Sequence, residues 1–246
     1  MRAIDDMEQR KYRAASDEHK TGRFFSLLSN LPNQLRQFIT INGQALAEVD
    51  IASSQCLIFA IYLKQKFGAS MPADVTNYIN LCEAGQFYPC IKPLMLGYEP
   101  DMDTNLFKTT FFGRVFFSSE KVSYKWRERF ATYFPTVSAE ISNFKSNDYK
   151  DLPEKLSYLE SEIMLHRITP RLFAQGITTH FSVHDSFFCT PDVRDTIEAI
   201  LMEEFAQYGV TPFVKDKNQA VVASALDFDF DELEACATTS YDFFAE

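Results

Sequence analysis

Two aspartates far apart in the chain carry the clearest chemical signal. Asp50 ends an apolar, strand-like stretch, and Asp185 sits at the tip of a second such region. Hard cations such as magnesium take oxygen ligands and are usually held by one or two carboxylates together with substrate phosphates. Two such ions about 4 Å apart can stabilise both the attacking and the leaving oxygen of a phosphoryl transfer. Taken alone, each aspartate is better explained as a turn or cap residue, because Asp favours those places. The order and flanking of the two sites must decide between the readings.

The elements that would position them can be read from local pattern. Residues 45–51 (ALAEVDI) form a short strand delivering Asp50 at its C-terminal end, and the apolar run 56–67 is a buried helix closed by Gly68. Thr21 to Pro32 is a loop with turn residues at both ends. A helix begins near Pro72, and the stretch 85–100 is broken by its three prolines. Asp103 is a good N-cap for a helix running to about Phe117. Further helices run from about Glu120 to Tyr133, from Thr136, and from Leu152 to Ala174, the last kinked by Pro170 and ended by Gly176. The β-branched and aromatic residues of 177–191 give two strands meeting at His184-Asp185-Ser186. An amphipathic helix over 192–208 and one or two strands within 211–223 follow. The sum is an α+β domain: a small antiparallel sheet with a helical insertion between its first strand and its last hairpin.

Composition bounds the possibilities. The chain has 246 residues, 46% of them hydrophobic, which is enough to bury a substantial core without metal or disulfide staples. Its 24 Phe and 11 Tyr suit a packed interior first and stacking surfaces second. The net charge of −10 argues on its face against a polyphosphate partner. Seven of those charges are concentrated in Asp227, Asp229, Asp231, Glu232, Glu234, Asp242 and Glu246, a segment with no Lys or Arg. Five scattered cysteines show no zinc spacing and read as reduced thiols, which implies a cytoplasmic protein. No stretch is long and apolar enough for a membrane span, and no signal peptide is visible.

Five motifs in order resemble the palm and fingers of DNA polymerase I-like (family A) enzymes, over residues 20 to 217. Thr21-Gly22-Arg23 with Asn30-Leu31-Pro32 is similar to that family's T-G-R…N-L segment. EVDIASSQ, Glu48 to Gln55, resembles motif A, and KTTFFG, Lys108 to Gly113, resembles motif B. RERFATYFPTV, Arg127 to Val137, matches the pattern that follows motif B. SVHDSF, Ser182 to Phe187, resembles motif C, although the Ser after Asp185 is as in single-subunit phage-type RNA polymerases.

The resemblance implies a right-hand palm with a compact fingers insertion and no thumb or exonuclease domain. Residues 1–55 would make an N-terminal lead-in and the first part of the palm, 56–150 the fingers-like helical insertion, 151–226 the second part of the palm and 227–246 an acidic C-terminal tail. Asp50 and Asp185 would ligate two Mg²⁺ ions, with Mn²⁺ as a substitute, and Lys108 would meet the incoming triphosphate and donate a proton to pyrophosphate. Phe112 and Phe116, four and eight residues after Lys108, would stack on the incoming base or else lie in the core. Gln55 occupies the place of a gate against ribose, the motif B helix N-terminus, Arg114 or Lys121 is the source of phosphate grip, and Arg23 and His184 would approach the primer end. Phe116 replaces the family's usual Tyr, and Thr104 stands where an arginine is usual.

The implied activity is template-directed nucleotidyl transfer, DNA synthesis first, with a primer-template and nucleoside triphosphates as partners in a bacterial or phage-infected cytoplasm. A protein partner would supply the thumb or clamp. Two alternatives stand beside it: a single-subunit RNA polymerase-like enzyme, and a polymerase-derived module that binds or assembles without catalysis.

Overall fold

The computed structural model describes residues 15–16, 20–31, 33–36, 38–96, 102–119 and 124–215. These divide into two units. The first comprises the described residues up to Lys66, the turn Cys82–Gly85, and residues 153–215; the second comprises Phe67–Leu81 and the described part of Gln86–Leu152. The acidic segment 227–246 and Lys121 lie outside the described residues.

The first unit opens with two short antiparallel pairs. Strand β1 (Ala15–Ser16) pairs with β2 (Phe24–Phe25), the one-turn helix α1 (Asn33–Arg36) follows, and β3 (Thr40–Ile41) pairs with β4 (Gln44–Ala45). The β3–β4 turn is Asn42-Gly43, with φ of 52° and 79°. Both residues take the positive φ that a two-residue hairpin turn of this hand requires. Strand β5 (Ala47–Ile51) leads into helix α2 (Ser54–Phe67).

In the second unit come most of α3 (Ala73–Glu83), whose last two residues belong to the first, and α4 (Phe87–Leu96), α5 (Thr104–Phe111), α6 (Tyr124–Tyr133) and α7 (Pro135–Phe144). Helix α8 (Asp151–Ser161) brings the chain back to the first unit, where α9 (Thr169–Ala174), β6 (His180–Val183), β7 (Ser186–Cys189), α10 (Arg194–Ala206) and β8 (Val214–Lys215) complete it. The chain is thus of the α+β class, helical for the most part, with small antiparallel sheets. No helix among the described residues is long and apolar enough to cross a membrane.

The principal sheet has the order β6-β7-β5-β8, antiparallel throughout. Along β5, Val49 and Ile51 are buried, and the period of two turns Asp50 to the opposite face. Helix α10 packs against β5, burying Ile197, Leu201 and Phe205, and α9 and the segment before it pack against α10. Arg171 ties these helices together, donating to Glu203 and, at 2.6 Å, to the buried Glu204.

The second unit is organised by rings. Phe87, Phe107, Phe111, Phe116, Phe130 and Phe134 are fully buried and meet at centroid distances such as 5.7 Å (Phe87–Phe111) and 5.5 Å (Phe111–Phe130). Mostly edge-to-face pairs of this kind are favourable beyond the area they bury. Asp74 caps α7 from α3, accepting from the backbone N–H of Thr136 at 2.7 Å and of Val137 at 3.3 Å. Asp103 caps α5 as expected, its Oδ1 accepting from Asn105 and Leu106.

Three local expectations are corrected. Residues 87–96 are a continuous helix through Pro89 and Pro93. Pro89 lies in the first turn, where its missing N–H has no intrahelical partner to lose. The expected single helix 103–117 changes register: Phe112–Phe116 is a π turn, with the Phe117 N–H reaching the Phe112 carbonyl at 2.8 Å. Similarly, Glu162–Ile168 is a π segment immediately before Pro170. There the Thr169 N–H bonds the Met164 carbonyl, and the wider turn accommodates a proline that has no N–H and would crowd the preceding turn.

Gly85 ties the sheet edge to its surroundings. It takes φ +68°, and a Cβ there would lie 2.6 Å from the Phe213 ring. The Phe213 carbonyl accepts from the Ala52 N–H at 2.8 Å, which anchors the segment entering β8. Gly85→Ala should therefore displace that segment and destabilise the fold by at least about 1 kcal/mol. Urea denaturation measures the loss; unchanged stability would show that the ring and the turn relax freely.

Candidate functional site

The β5 register sets the site. Asp50 is directly opposite Ser186 on β7 and Lys215 on β8. Opposed residues of an antiparallel pair project to the same face, so Ser186 and Lys215 share the face of Asp50. The Lys215 ammonium donates to Asp50 Oδ2 at 2.8 Å. Asp185 precedes Ser186 in the two-residue β6–β7 turn, so two aspartates 135 positions apart in sequence occupy neighbouring places in the sheet.

Backbone strain flanks both. Among the described residues, the non-glycine positions with positive φ are Asn42, Ser53 and His184. Asn42 belongs to the hairpin turn already described. Ser53 (φ 53°) makes the turn from β5 into α2, three residues after Asp50, and His184 (φ 53°) is the first residue of the two-residue β6–β7 hairpin turn, where a positive φ is called for, immediately before Asp185. A non-glycine residue in this region is disfavoured by order 1 kcal/mol, and such positions cluster at functional sites.

A third carboxylate, absent from the sequence-based site, organises the surroundings. Glu160, near the end of α8, has a side chain only 3% exposed. It accepts from Arg23 at 2.7 Å, from the Gln55 amide nitrogen at 2.6 Å and from Ser54 Oγ at 3.2 Å. Three donors, one of them cationic, are what a buried carboxylate requires. Gln55 is thereby fixed with its amide nitrogen on Glu160, and among the described residues its buried Oε1, like the buried Arg23 Nε and His184 Nδ1, has no hydrogen-bond partner.

The charges do not balance at Asp185. Burial, then Glu160, then Asp50 push its carboxyl up from 3.8 to about 7, against weaker help from its own backbone N–H and Lys215. Asp50 has Lys215 and Glu160 has Arg23, whereas among the described residues no cation is bonded to Asp185. The His184 imidazole is held below its ordinary value, chiefly by burial and then by Arg23, which favours the neutral ring. The Phe25 ring meets it edge-on at 6.1 Å.

The structure thus brings Asp50, Asp185, Gln55, Arg23 and His184 into one unit, with Glu160 and Lys215 added. Glu160 had a detectable signal. It falls on the apolar stripe of its helix, between Leu156 and Ile163/Met164, all buried, and a carboxylate on a buried stripe demands partners. Lys215 had none, because the register of β8 against β5 is set across the sheet.

Lys108, Phe112, Arg114 and Phe116 belong to the second unit. The Lys108 ammonium lies 5.2 Å from the Tyr88 ring centroid, and Arg114 is exposed. Of the two places expected for Phe116, a stacking surface or the core, it takes the core, fully buried against Phe111 and Phe112 at 5.9 Å and 5.1 Å. The π turn and the density of surrounding rings draw it into the core, and Phe112 remains half-buried.

No model of a known protein family matches the chain, and no curated protein does.

Titration offers a direct check on the charge imbalance. Since Asp185 titrates near 7 when folded and at its ordinary 3.8 when unfolded, the folded state binds the extra proton between these values. Stability contributed at this site is therefore lost as pH rises through that window, and the penalty is complete above it. Asp185→Asn removes the penalty. It should be more stable than the parent by a few kcal/mol at about pH 8, with the gain vanishing near pH 4. Paired urea titrations without divalent metal measure this; a difference independent of pH would show that the carboxylate is already neutralised.

Proposed function

We propose that the first unit is a polymerase palm, in which Asp50 and Asp185 hold magnesium for template-directed nucleotidyl transfer to a 3′ hydroxyl. One observation carries the reading: two aspartates distant in sequence come to one place in the sheet, Asp50 on β5 and Asp185 in the turn that leads into the neighbouring β7, with a positive-φ residue close to each and Asp185 left electrostatically uncompensated. The order of motifs along the chain adds the polymerase class to what would otherwise be a generic acidic site.

The donor chemistry fits the ion. A half-buried carboxylate whose proton affinity is raised by desolvation and acidic neighbours is a place where a divalent cation is favoured, because the cation supplies the missing positive charge. Among the described residues no three or more His, Cys, Asp and Glu side chains converge as a ready-made cage. Magnesium does not need one, since it is held by one or two carboxylates with water and substrate phosphates completing its octahedron. Bound there, it would supply Lewis-acid stabilisation of the attacking and leaving oxygens.

The chain's own residues divide the remaining work. Glu160 fixes Gln55 and Arg23 before substrate arrives, so neither pays ordering entropy later. Neutral His184 and the Phe25 ring offer a contact surface at the hairpin tip rather than a cation. Arg23 already has a carboxylate partner, so it contributes hydrogen bonding and shape more than net positive charge. Lys108 and its half-buried neighbour Phe112 enter the reading through the motif B resemblance, as phosphate and base contacts. DNA synthesis remains the first reading, with a partner protein supplying grip on duplex.

A second reading, a non-catalytic binding module, is favoured by the Lys215 ammonium already engaging Asp50 and by the burial of Phe116. Primer extension distinguishes them, with deoxyribo- and ribonucleotides offered separately on DNA and RNA templates in Mg²⁺ or Mn²⁺. Incorporation that is abolished by Asp185→Asn and by Asp50→Asn, with circular dichroism unchanged, is the expected result. Lys108→Ala should slow the reaction by roughly 10²- to 10⁴-fold without damaging it more than either aspartate change. Exclusive use of ribonucleotides would assign RNA synthesis. No extension on any template, or an Asp185→Asn variant as active as the parent, would overturn the catalytic reading.

A further inference from the structure

Lys215 has no part in the motifs, yet its ammonium bonds one of the two proposed metal ligands. Its strand, β8, is at the edge of the four-stranded sheet, and the register places it directly opposite Asp50. The two partners differ in their surroundings. The Lys215 side chain is 40% exposed and that of Asp50 16% exposed, so the lysine can withdraw on its flexible stem while the carboxylate stays. Lysine on an edge strand is an ordinary device against sheet-to-sheet association, and a cross-strand ion pair adds modestly to sheet stability. Neither role requires the lysine to face a carboxylate that adjoins Asp185. Nor does either explain why positive charge is concentrated on Asp50 while no described residue brings a bonded cation to Asp185.

We propose that Lys215 is a displaceable counter-cation of the carboxylate pair, occupying Asp50 until a divalent cation displaces it and thereby setting the site's affinity for metal. The inference rests on the reading of Asp50 and Asp185 as metal ligands and adds a residue that regulates them. A single positive charge on one carboxylate satisfies Asp50 alone, whereas a divalent ion between the two satisfies both. Metal entry therefore exchanges one ion pair for a fuller neutralisation, and the ammonium released at the sheet edge is free to meet an anionic group. The lysine also protects the site in the absence of metal, since an unpaired Asp50 beside Asp185 and Glu160 would add a further uncompensated charge to the sheet.

Two measurements on the full chain test this, neither of them activity. The first is Mn²⁺ binding followed by loss of the free-ion paramagnetic resonance signal, for the parent, Lys215→Met, Lys215→Arg and Asp50→Asn. Lys215→Met should bind Mn²⁺ about tenfold more tightly or better, the effect of removing a unit charge from a partly screened site. Lys215→Arg, which keeps the charge, should stay close to the parent, and Asp50→Asn should bind much more weakly. The second measurement uses unmutated protein, so it does not depend on a variant folding: reductive methylation of Lys215, quantified by mass spectrometry, should accelerate when Mn²⁺ or Mg²⁺ is added.

The outcomes separate cleanly. Mn²⁺ binding that depends on Asp50 but is unchanged in Lys215→Met, or a Lys215 methylation rate indifferent to bound metal, overturns the counter-cation role and leaves the metal site standing. Equal tightening in Lys215→Arg and Lys215→Met overturns it too, because the effect would then be one of shape. If neither the parent nor the Lys215 variants bind Mn²⁺, or binding ignores Asp50, the metal reading itself fails and this inference falls with it.

Discussion

The pairing of β5 with a strand on either side is the constraint from which the site follows. A five-residue strand has few positions to spare, and side chains alternate faces along it, so a slip of one residue would bury Asp50 and expose Val49 and Ile51. Apolar burial therefore fixes the register, and the register fixes the chemistry. It sets Asp50 against Ser186, places Asp185 at the adjoining turn, and brings Lys215 onto the same carboxylate from the other side. The carboxylate geometry is thus a by-product of hydrophobic packing on the far face.

Around that register, the first unit distributes positive charge unevenly. Glu160 is buried but bonded by Arg23, Ser54 and Gln55, a complete set for a carboxylate that cannot reach water. Asp50 takes Lys215. Asp185 is left with burial and two acidic neighbours, and its raised proton affinity is the consequence. A sheet built for stability alone would place a cation or a neutral residue there. The uncompensated position, the strained His184 before it and the strained Ser53 after Asp50 are local costs concentrated at one place, the pattern expected where structure serves binding or catalysis.

The second unit follows a different logic. Its stability rests on interlocked aromatic rings, with helix ends capped from outside, as Asp74 does for α7. The ring density explains why a phenylalanine expected either to face a nucleotide or to lie in the core takes the core. Each additional ring buried among the others stabilises the cluster, and in the π turn at Phe112–Phe116 the Phe116 ring packs tilted against Phe111 and Phe112. The half-exposed Lys108, resting over Tyr88, keeps its charge near the surface.

Local rules account for one part of the architecture. The strand ending in Asp50, the hairpin tip at Asp185, the Asp103 cap and the α+β class follow from alternation, turn residues and capping chemistry, each acting over a few positions. Continuity of α4 through Pro89 and Pro93 and the two π segments lay beyond those rules, because proline was read as a breaker without regard to its place in the turn. Glu160 was half legible: its place on an apolar stripe signals a buried carboxylate, but its partners Arg23, Ser54 and Gln55 are more than 100 residues away in sequence. Lys215 was not legible at all. Which residue meets Asp50 depends on how β8 registers against β5 across 165 residues of chain, and that register is decided by long-range packing that no local pattern encodes.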